Sequence, residues 1–307
     1  MNLNGQYMPT DAYKNLALSL GSLNLQKLTL TFKCTSTIGY DLYKVLKAVN
    51  RKLSYLKLTF IDEHNLSSEA LAPLEDALKS LGRLNEFYLD VSQSQFCNLI
   101  LNKIAYAFSK LSAMKKIMIK YNSNDAGFKY RGVAMQNIRE ILKGNPYLKD
   151  IELHCMDSRG VKDHIQPLIE GIKALKTLEY LNVYFHYIPM SDFSFKGLIQ
   201  AIEDNKKNLK GLNLKIDSYR LTDHSLETLA ASLKKLQCLE EFTLTIMKWK
   251  ISEKGLKPLS SVLMSLTKLF RIEVKFQEAG SEKIAQDFEL GLKKGLSKHR
   301  LYVEYCK

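Results

Sequence analysis

Apolar residues at every second position recur along the chain in short stretches. The stretch LEYLNVYF at 178–185 places Leu181, Val183 and Phe185 on one side of an extended segment, and LSYLKLTF at 53–60 repeats this spacing. Alternation with period two is typical of a β-strand with one buried face. The first inward residue of each such strand recurs ten times, at intervals of 28 to 34 residues: Leu28, Leu56, Phe87, Ile117, Ile151, Leu181, Leu212, Phe242, Ile272 and Leu301.

Helical periodicity follows each strand. HSLETLAASLKKL at 224–236 and KGLKPLSSVLMSL at 254–266 carry leucines three and four positions apart, and Ser67, Thr222 and Ser252 precede helical stretches as candidate N-caps. Strand and helix alternating at a constant period predict an α/β fold, a βα solenoid of about ten repeats of about 30 residues with a parallel concave sheet and convex helices. We expect one solenoid domain over 1–307, with an N-terminal capping helix region at 1–27, repeats at 28–300 and a terminal strand at 301–307.

The repeat pattern resembles that of a known family. LxxLxLxF, then [IL]-[ST]-[DE]-x-[GS]-L, then LxxxLxxL is similar to leucine-rich repeats of the ribonuclease-inhibitor type, with clear instances at 220–229, 250–259 and 266–276. The resemblance implies the horseshoe form of that family. The chain departs from the family in one respect. Members of the family usually have an Asn or Cys soon after each strand, and among the nine equivalent positions here only Asn122 fits. We therefore expect no asparagine ladder, and strands one or two residues longer than usual.

The chain is basic, with a formal net charge of +13. The two expected rows of outward strand residues carry four lysines and four acidic residues, so the excess lies elsewhere. Much of it falls where helices end and the next strand begins, which predicts a basic rim: Lys52, Lys115, Lys116, Lys206, Lys207, Lys234, Lys235, Lys293, Lys294, Lys298 and Arg300. Two readings stay open, a complement to the helix dipoles that also keeps the protein soluble, and an anion-binding rim.

The outward strand residues and the segments after the strands predict a partner-binding surface. Its mixed polar and aromatic character suits a protein better than a phosphate backbone. Only 8 of the 45 basic residues are arginines, which further disfavours sequence-reading nucleic-acid binding. The candidate contact residues are Tyr88, Lys120, His154, Tyr184, Tyr187, Phe193, Lys215, Trp249, Lys275 and Tyr302.

Catalytic and cofactor motifs are absent from the sequence. It contains no glycine-rich nucleotide loop, no H-E-x-x-H, C-x-x-C or G-x-S-x-G motif, and no calcium loop. The five cysteines are scattered, which argues against a disulfide framework and favours buried or reduced thiols such as Cys155. His154 and His186 lie one repeat apart, but the sequence places no carboxylate with them. We therefore predict no catalytic residue, cofactor or metal site, and no enzyme activity.

The expected function is a non-catalytic protein–protein interaction scaffold, a subunit of a larger assembly. No apolar run approaches 18 residues and no signal or transit peptide is recognised, so we expect a cytoplasmic protein without a membrane span. Proteins of this repeat type resemble components of ciliary and other cytoskeletal complexes, which makes acidic surfaces such as tubulin candidate partners. The alternatives are an RNA- or DNA-associated scaffold that uses the lysine-rich rim, and a docking regulator of a GTPase or other enzyme.

Overall fold

Strands and helices alternate along the whole described chain. The computed structural model describes residues 2–4, 10–33, 38–49, 52–61, 67–94, 96–108, 111, 113–122, 133–156, 164–295 and 300–306. The chain divides into two compact units, residues 1–148 and residues 149–307. Each unit is built from the same repeating strand and helix, and each is described by itself below.

The first unit contains five parallel strands that pair in chain order. Its elements are β1 Asn2–Asn4, α1 Thr10–Gly21, β2 Lys27–Lys33, α2 Ile38–Val49, β3 Tyr55–Ile61, α3 Ser68–Lys79, β4 Glu86–Gln93, α4 Cys97–Phe108, β5 Lys116–Asn122 and α5 Val133–Gly144. Burial alternates along β3, β4 and β5, so the helices cover one face of this sheet and leave the other exposed.

The second unit contains six parallel strands, again paired in chain order. Its elements are β6 Asp150–Met156, α6 Gln166–Lys173, β7 Tyr180–His186, α7 Asp192–Glu203, β8 Gly211–Asp217, α8 Asp223–Leu233, β9 Glu241–Met247, α9 Glu253–Ser265, β10 Arg271–Gln277, α10 Glu282–Gly295 and β11 Arg300–Cys306. Each of these six strands is seven residues long.

The core confirms the alignment of the repeats. In the second unit Leu181, Leu212 and Phe242 are consecutive partners across the sheet, and all three are buried. The leucine stripes of α8 and α9 and the thiol of Cys155 are buried as well. Each large apolar side chain removed from water contributes about 1.5–3 kcal/mol to the free energy of folding. Recurrence of these residues at one register position therefore makes the core continuous within a unit.

The N-terminal region contains a strand that the sequence analysis missed. Residues 1–27 were expected to form a capping helix region, and α1 does form there, but Asn2–Asn4 also pairs in parallel with β2. The segment NLN carries one apolar residue, too few to show a period of two. Leu23 lies beyond the end of α1 and is exposed.

Backbone hydrogen bonds link successive repeats where each helix turns into the next strand. The amides of Glu240 and Glu241 both donate to the carbonyl of Lys210, and the amides of Phe270 and Arg271 both donate to the carbonyl of Glu240. The same arrangement occurs in the first unit. These bonds satisfy backbone groups just outside the strands and need no particular side chain.

At the opposite strand ends, aspartates at the helix N-termini link neighbouring repeats. Asp192, the first residue of α7, accepts hydrogen bonds from the backbone amide and hydroxyl of Thr222 and from the hydroxyl of Ser225. Asp223, the first residue of α8, accepts from the backbone amide and hydroxyl of Ser252. Thr222 and Ser252 also cap their own helices, as predicted. In these repeats the [ST]-[DE] pair thus makes the lateral side-chain links that an asparagine ladder would otherwise provide.

The carboxylate of Asp192 gives a stability prediction. Burial alone would raise its pKa, but the hydrogen bonds from Ser225 and Thr222 outweigh burial and hold the pKa below the ordinary value. Its contribution to the free energy of unfolding is therefore complete above about pH 5 and is lost as pH falls through the folded pKa. We expect Asp192→Asn to lower the free energy of unfolding by about 1–3 kcal/mol at neutral pH and to flatten its decline in acid.

Urea unfolding of both proteins between neutral pH and mildly acidic pH measures this effect. Asp204→Asn is the matched control, because Asp204 is exposed in the turn after α7. Equal losses in the two variants would contradict the role assigned to Asp192.

Candidate partner-binding surface

The exposed sheet face of the second unit presents four rows of side chains. The two rows expected from sequence are present, since Asn182, Asn213 and Thr243 are consecutive register partners, as are Tyr184, Lys215 and Thr245. Two further rows flank them because each of these strands is seven residues long. One row contains Tyr180, Gly211, Glu241 and Arg271, and the other contains Asp217, Met247 and Gln277, of which Asp217 is buried.

A groove of about 360 Å³ runs across this face between β7 and β10. Tyrosines line it on the β7 side, and charged residues line it on the β10 side. Smaller residues lie between them on β8 and β9, and these include Gly211, Asn213, Thr243 and Thr245. The depression therefore follows from short side chains between two rows of long ones.

Gly211 allows one wall of the groove to form. A Cβ atom at this position would lie 2.6 Å from Cδ1 of Tyr180. The tyrosine ring therefore occupies space above the start of β8 that any other residue would fill. This is the close approach for which glycine is suited.

The wall on β7 is held by stacked and hydrogen-bonded side chains. The rings of His154 and Tyr184 stack with centroids 4.1 Å apart, and Nε2 of His154 lies 2.6 Å from Oε1 of Glu152. The hydroxyl of Tyr184 accepts a hydrogen bond from Nδ2 of Asn213 at 2.8 Å. Burial raises the pKa of Tyr184, with the nearby Glu152 carboxylate adding to the effect. The phenol therefore stays protonated at neutral pH and retains its hydrogen as a donor.

Ion pairs form the wall on β10. Lys275 lies 3.1 Å from Glu273 and 3.3 Å from Glu304, and Arg271 lies 3.3 Å from Glu273. The hydrogen bond to Glu273 is the main cause of the raised pKa of Lys275, with Glu304 contributing. Tyr302, on β11, lies beneath the same lysine, with 5.3 Å between Nζ and the ring centroid. Charges on this side are thus largely matched within the protein.

Lys215 differs from its neighbours on this face. It is half-buried in the floor of the groove between Tyr184 and Thr245. Among the described side chains, none forms an ion pair or hydrogen bond with its ammonium group. The sequence identified Lys215 as a candidate contact residue, and only the structure shows that it lacks a partner among those residues.

The exposed face of the first unit carries an aromatic pair with lysines on both sides. The rings of Tyr55 and Tyr88 lie 5.0 Å apart, and the ammonium groups of Lys27 and Lys116 approach them to 5.8 Å and 5.9 Å respectively. Lys120 lies on the same face and forms a 3.5 Å ion pair with Asp90. Tyr88 and Lys120 therefore face outward, as the sequence predicted.

Two predicted aromatic contacts lie at the strand ends of the second unit. Tyr187 follows β7 with φ 59°, where Lys248 and His186 approach its ring. Phe193, the second residue of α7, is 84% exposed. Tyr219, which the sequence analysis did not name, is exposed after β8 and is approached by Arg220. The exposed rings are consistent with a contact surface, and nothing in the fold requires Phe193 to face solvent.

Trp249 corrects one prediction. Its side chain is only 2% exposed, packs edge-on against Phe195 at 5.3 Å and donates from Nε1 to the carbonyl of Ile216 at 2.8 Å. It therefore belongs to the core and presents no surface to a partner. The equivalent positions after the neighbouring strands differ, because Ile188 and Ala279 are buried whereas Tyr219 is exposed, so the repeat pattern alone does not reveal the burial of Trp249.

The predicted basic rim divides into paired and unpaired lysines. Lys235 pairs with Glu203 at 2.8 Å and Lys293 pairs with Glu289 at 2.7 Å, while Lys116 lies near the ring of Tyr88. The rim lysines that are exposed and have no ion pair among the described side chains are Lys52, Lys115, Lys206, Lys207, Lys234 and Lys294. Lys298 and the side chain of Arg300 lie outside the described residues.

The structure adds carboxylates to both predicted histidine positions. Besides Glu152 at His154, Oδ2 of Asp217 lies 3.2 Å from Nδ1 of His186. In the described part of the chain, no group of three or more His, Cys, Asp or Glu residues is arranged to hold a metal ion. None of the described helices has the length and apolar character needed to cross a membrane.

The parallel strands, the alternating helices and the repeated core positions define a leucine-rich-repeat βα solenoid, as the resemblance implied. A similar solved structure is that of the leucine-rich repeat-containing protein LegL7 from Legionella pneumophila. It matches with a TM-score of 0.50 and 11% identity over 99% of this chain and 89% of that chain, which shows the fold alone. The Drosophila Toll–Spatzle complex aligns with a TM-score of 0.26 and 10% identity, over 99% of this chain and 54% of that chain. No family model and no curated protein matches the sequence.

The placement of Trp249 gives a direct prediction, because it is the only tryptophan in the chain. We expect blue-shifted fluorescence that acrylamide quenches weakly, since the indole is surrounded by the core. Trp249→Phe leaves the carbonyl of Ile216 without this donor and should cost about 1–3 kcal/mol, measured by urea unfolding with far-ultraviolet circular dichroism. Phe270→Leu, at an exposed ring, is the control and should change the free energy of unfolding by less than about 0.5 kcal/mol. Quenching as strong as that of tryptophan in water would contradict the assignment.

Proposed function

We propose that the protein is a non-catalytic protein–protein interaction scaffold and a subunit of a larger assembly. The observation that carries the proposal is the exposed sheet face of the second unit, where a groove lined by tyrosines, amides and ion pairs lies on a continuous buried core. Drug-sized ligands usually occupy pockets lined mainly by apolar side chains, and this groove is mostly polar. A protein partner, whose side chains can match these polar groups, suits it better.

The unpaired rim lysines support a partner with an acidic surface. Six of the predicted rim positions expose an ammonium group without an ion pair among the described side chains, so attraction to a partner would not first require an internal pair to break. Exposed charges of one sign accelerate association with an oppositely charged protein. The proposal includes tubulin as a candidate partner and a cytoplasmic location, in the cytoskeleton or cilium. These parts rest on the family resemblance and on the net charge. A single functional domain over 1–307 is proposed on the constant period of the repeats.

Nucleic acid is the second candidate, because the same exposed lysines would attract phosphates. The scarcity of arginine and the presence of Glu241 and Glu273 beside the groove favour a protein. A regulator of a GTPase or another enzyme would also need a docking surface, but no described residue favours that role over the role of a scaffold.

The first test places an arginine in the groove. The tagged chain is purified from cells that express it, and cross-linking with mass spectrometry identifies the partner and its contact residues. We expect Thr243→Arg to reduce partner recovery at least about tenfold, because the larger side chain fills the space that the partner occupies. Ala231→Arg, at an exposed position of α8, should leave recovery unchanged. Cross-links confined to the helices, or equal effects of the two variants, would refute binding at the sheet face.

The second test removes charge from the rim. Lys206→Gln, Lys207→Gln and Lys234→Gln combined should slow association with the purified partner by about tenfold at low salt and weaken its salt dependence. The matched control carries Lys254→Gln, Lys257→Gln and Lys283→Gln, which removes the same charge from exposed positions of α9 and α10. Equal effects would assign the attraction to net charge rather than to the rim. The nucleic-acid role would instead be favoured if the protein bound an unrelated single-stranded oligonucleotide in a salt-sensitive manner and the rim variant lost this binding.

A further inference from the structure

The geometry points to a carboxylate-binding site formed by Tyr184, Lys215 and Thr245, which receives an Asp or Glu side chain from the protein partner. The three residues are consecutive partners across β7, β8 and β9 and face into the same groove. This inference rests on the proposed function, because it specifies what the partner contributes at the sheet face.

The charge pattern of the described face identifies the central cation. On the face itself Arg271 and Lys275 pair with Glu273. At its edges Lys149 and Lys210, just before β6 and β8, pair with Glu179, and Lys248, just after β9, lies 3.4 Å from Asp217. Lys215 lies among these pairs and has no acidic partner among the described side chains. A carboxylate that enters the groove would complete the pattern of matched charges.

Two hydroxyl groups flank Lys215 with donor capacity to spare. The oxygen of Tyr184 already accepts a hydrogen bond from Asn213, which leaves its hydrogen to donate. Thr245 is only 5% exposed and lines the groove, and its hydroxyl makes no hydrogen bond to another described residue. Neighbouring strands lie about 4.8 Å apart, so the two oxygens of one carboxylate can reach the ammonium group and an adjacent hydroxyl.

A carboxylate fits better than a phosphate. The site offers a single unpaired ammonium group, which balances the one negative charge of a carboxylate but not the second charge of a phosphate. Glu241 and Glu273 also line the groove, and they would repel a doubly charged anion more than a singly charged one. The carboxylate is assigned to an Asp or Glu side chain because the groove is open along the sheet face, where a folded partner surface can cover it.

The test observes Lys215 directly by nuclear magnetic resonance, in protein labelled with ¹³Cε-lysine and with the signal assigned by its loss in Lys215→Arg. The probe is the capped tripeptide acetyl-Gly-Glu-Gly-amide, which carries only a side-chain carboxylate. We expect a saturable shift of the Lys215 signal and a non-saturable response of Lys206 on the rim. Acetyl-Gly-Gln-Gly-amide should produce neither. Equal responses of the two lysines, or a shift of Lys215 with the neutral peptide, would overturn the proposal.

Variants at the hydroxyl groups test the rest of the site. Thr245→Val keeps the side-chain shape and should weaken the probe at Lys215 by about three- to tenfold through loss of one hydrogen bond, and Tyr184→Phe should weaken it similarly. Thr59→Val, at an outward position of β3 in the first unit and outside the groove, is the matched control and should leave the affinity unchanged. Loss in the control as large as in Thr245→Val would overturn the assignment.

Two further probes separate other sources of negative charge. Acetyl-Gly-Gln-Gly with an unblocked terminus carries only a C-terminal carboxylate, and inorganic phosphate carries the doubly charged alternative. Tighter binding of either at Lys215 would overturn the assignment to an acidic side chain. The scaffold function is judged separately. If the partner no longer binds Thr243→Arg but still binds Lys215→Met, only the carboxylate-binding site is refuted. Binding of the Glu probe without any partner at the sheet face would refute only the scaffold function.

Discussion

The parallel backbone ladder is the constraint on which the rest of the structure depends. In the second unit each strand pairs with the next at a fixed register, and paired amides at the strand starts repeat the link at the preceding turn. Because these bonds use only backbone atoms, the sequence can vary freely on the exposed face. The side chains that must stay apolar are the inward ones such as Leu212 and Phe242. A surface built this way can change its chemistry without changing its geometry.

This division explains which features were predictable from the sequence. Inward strand residues and helix stripes were predictable because burial selects large apolar side chains at every repeat. The outward rows followed from the register, and the absence of an asparagine ladder was readable directly. The aspartate links that take the place of the ladder could not be predicted, because the hydrogen bonds from Thr222 to Asp192 depend on how the start of one helix lies against the start of the next. The burial of Trp249 was not predictable, because the equivalent positions of neighbouring repeats include both the buried Ile188 and the exposed Tyr219.

The groove could not be predicted from sequence for a related reason. Register identifies Tyr180 and Gly211 as neighbours, but only the conformation of the ring shows that it covers the glycine. Likewise, the sequence counts equal acidic and basic residues on the expected rows, and only distances show which of them pair. Ion pairs on a surface contribute little to stability. Their importance here is that, on the described sheet face of the second unit, they leave Lys215 as the lysine without an acidic partner.

An ammonium group without an acidic neighbour has a further consequence for partner choice. In the isolated protein Lys215 is half-buried and still reaches water through the open groove. A partner that covers the groove with apolar atoms would remove that water and leave a buried, unpaired charge, which costs several kcal/mol. A partner that brings a carboxylate avoids this penalty and also satisfies the hydroxyl of Thr245. Lys215 would therefore select partners chiefly by rejecting apolar ones, which is how a rigid surface achieves specificity without rearranging.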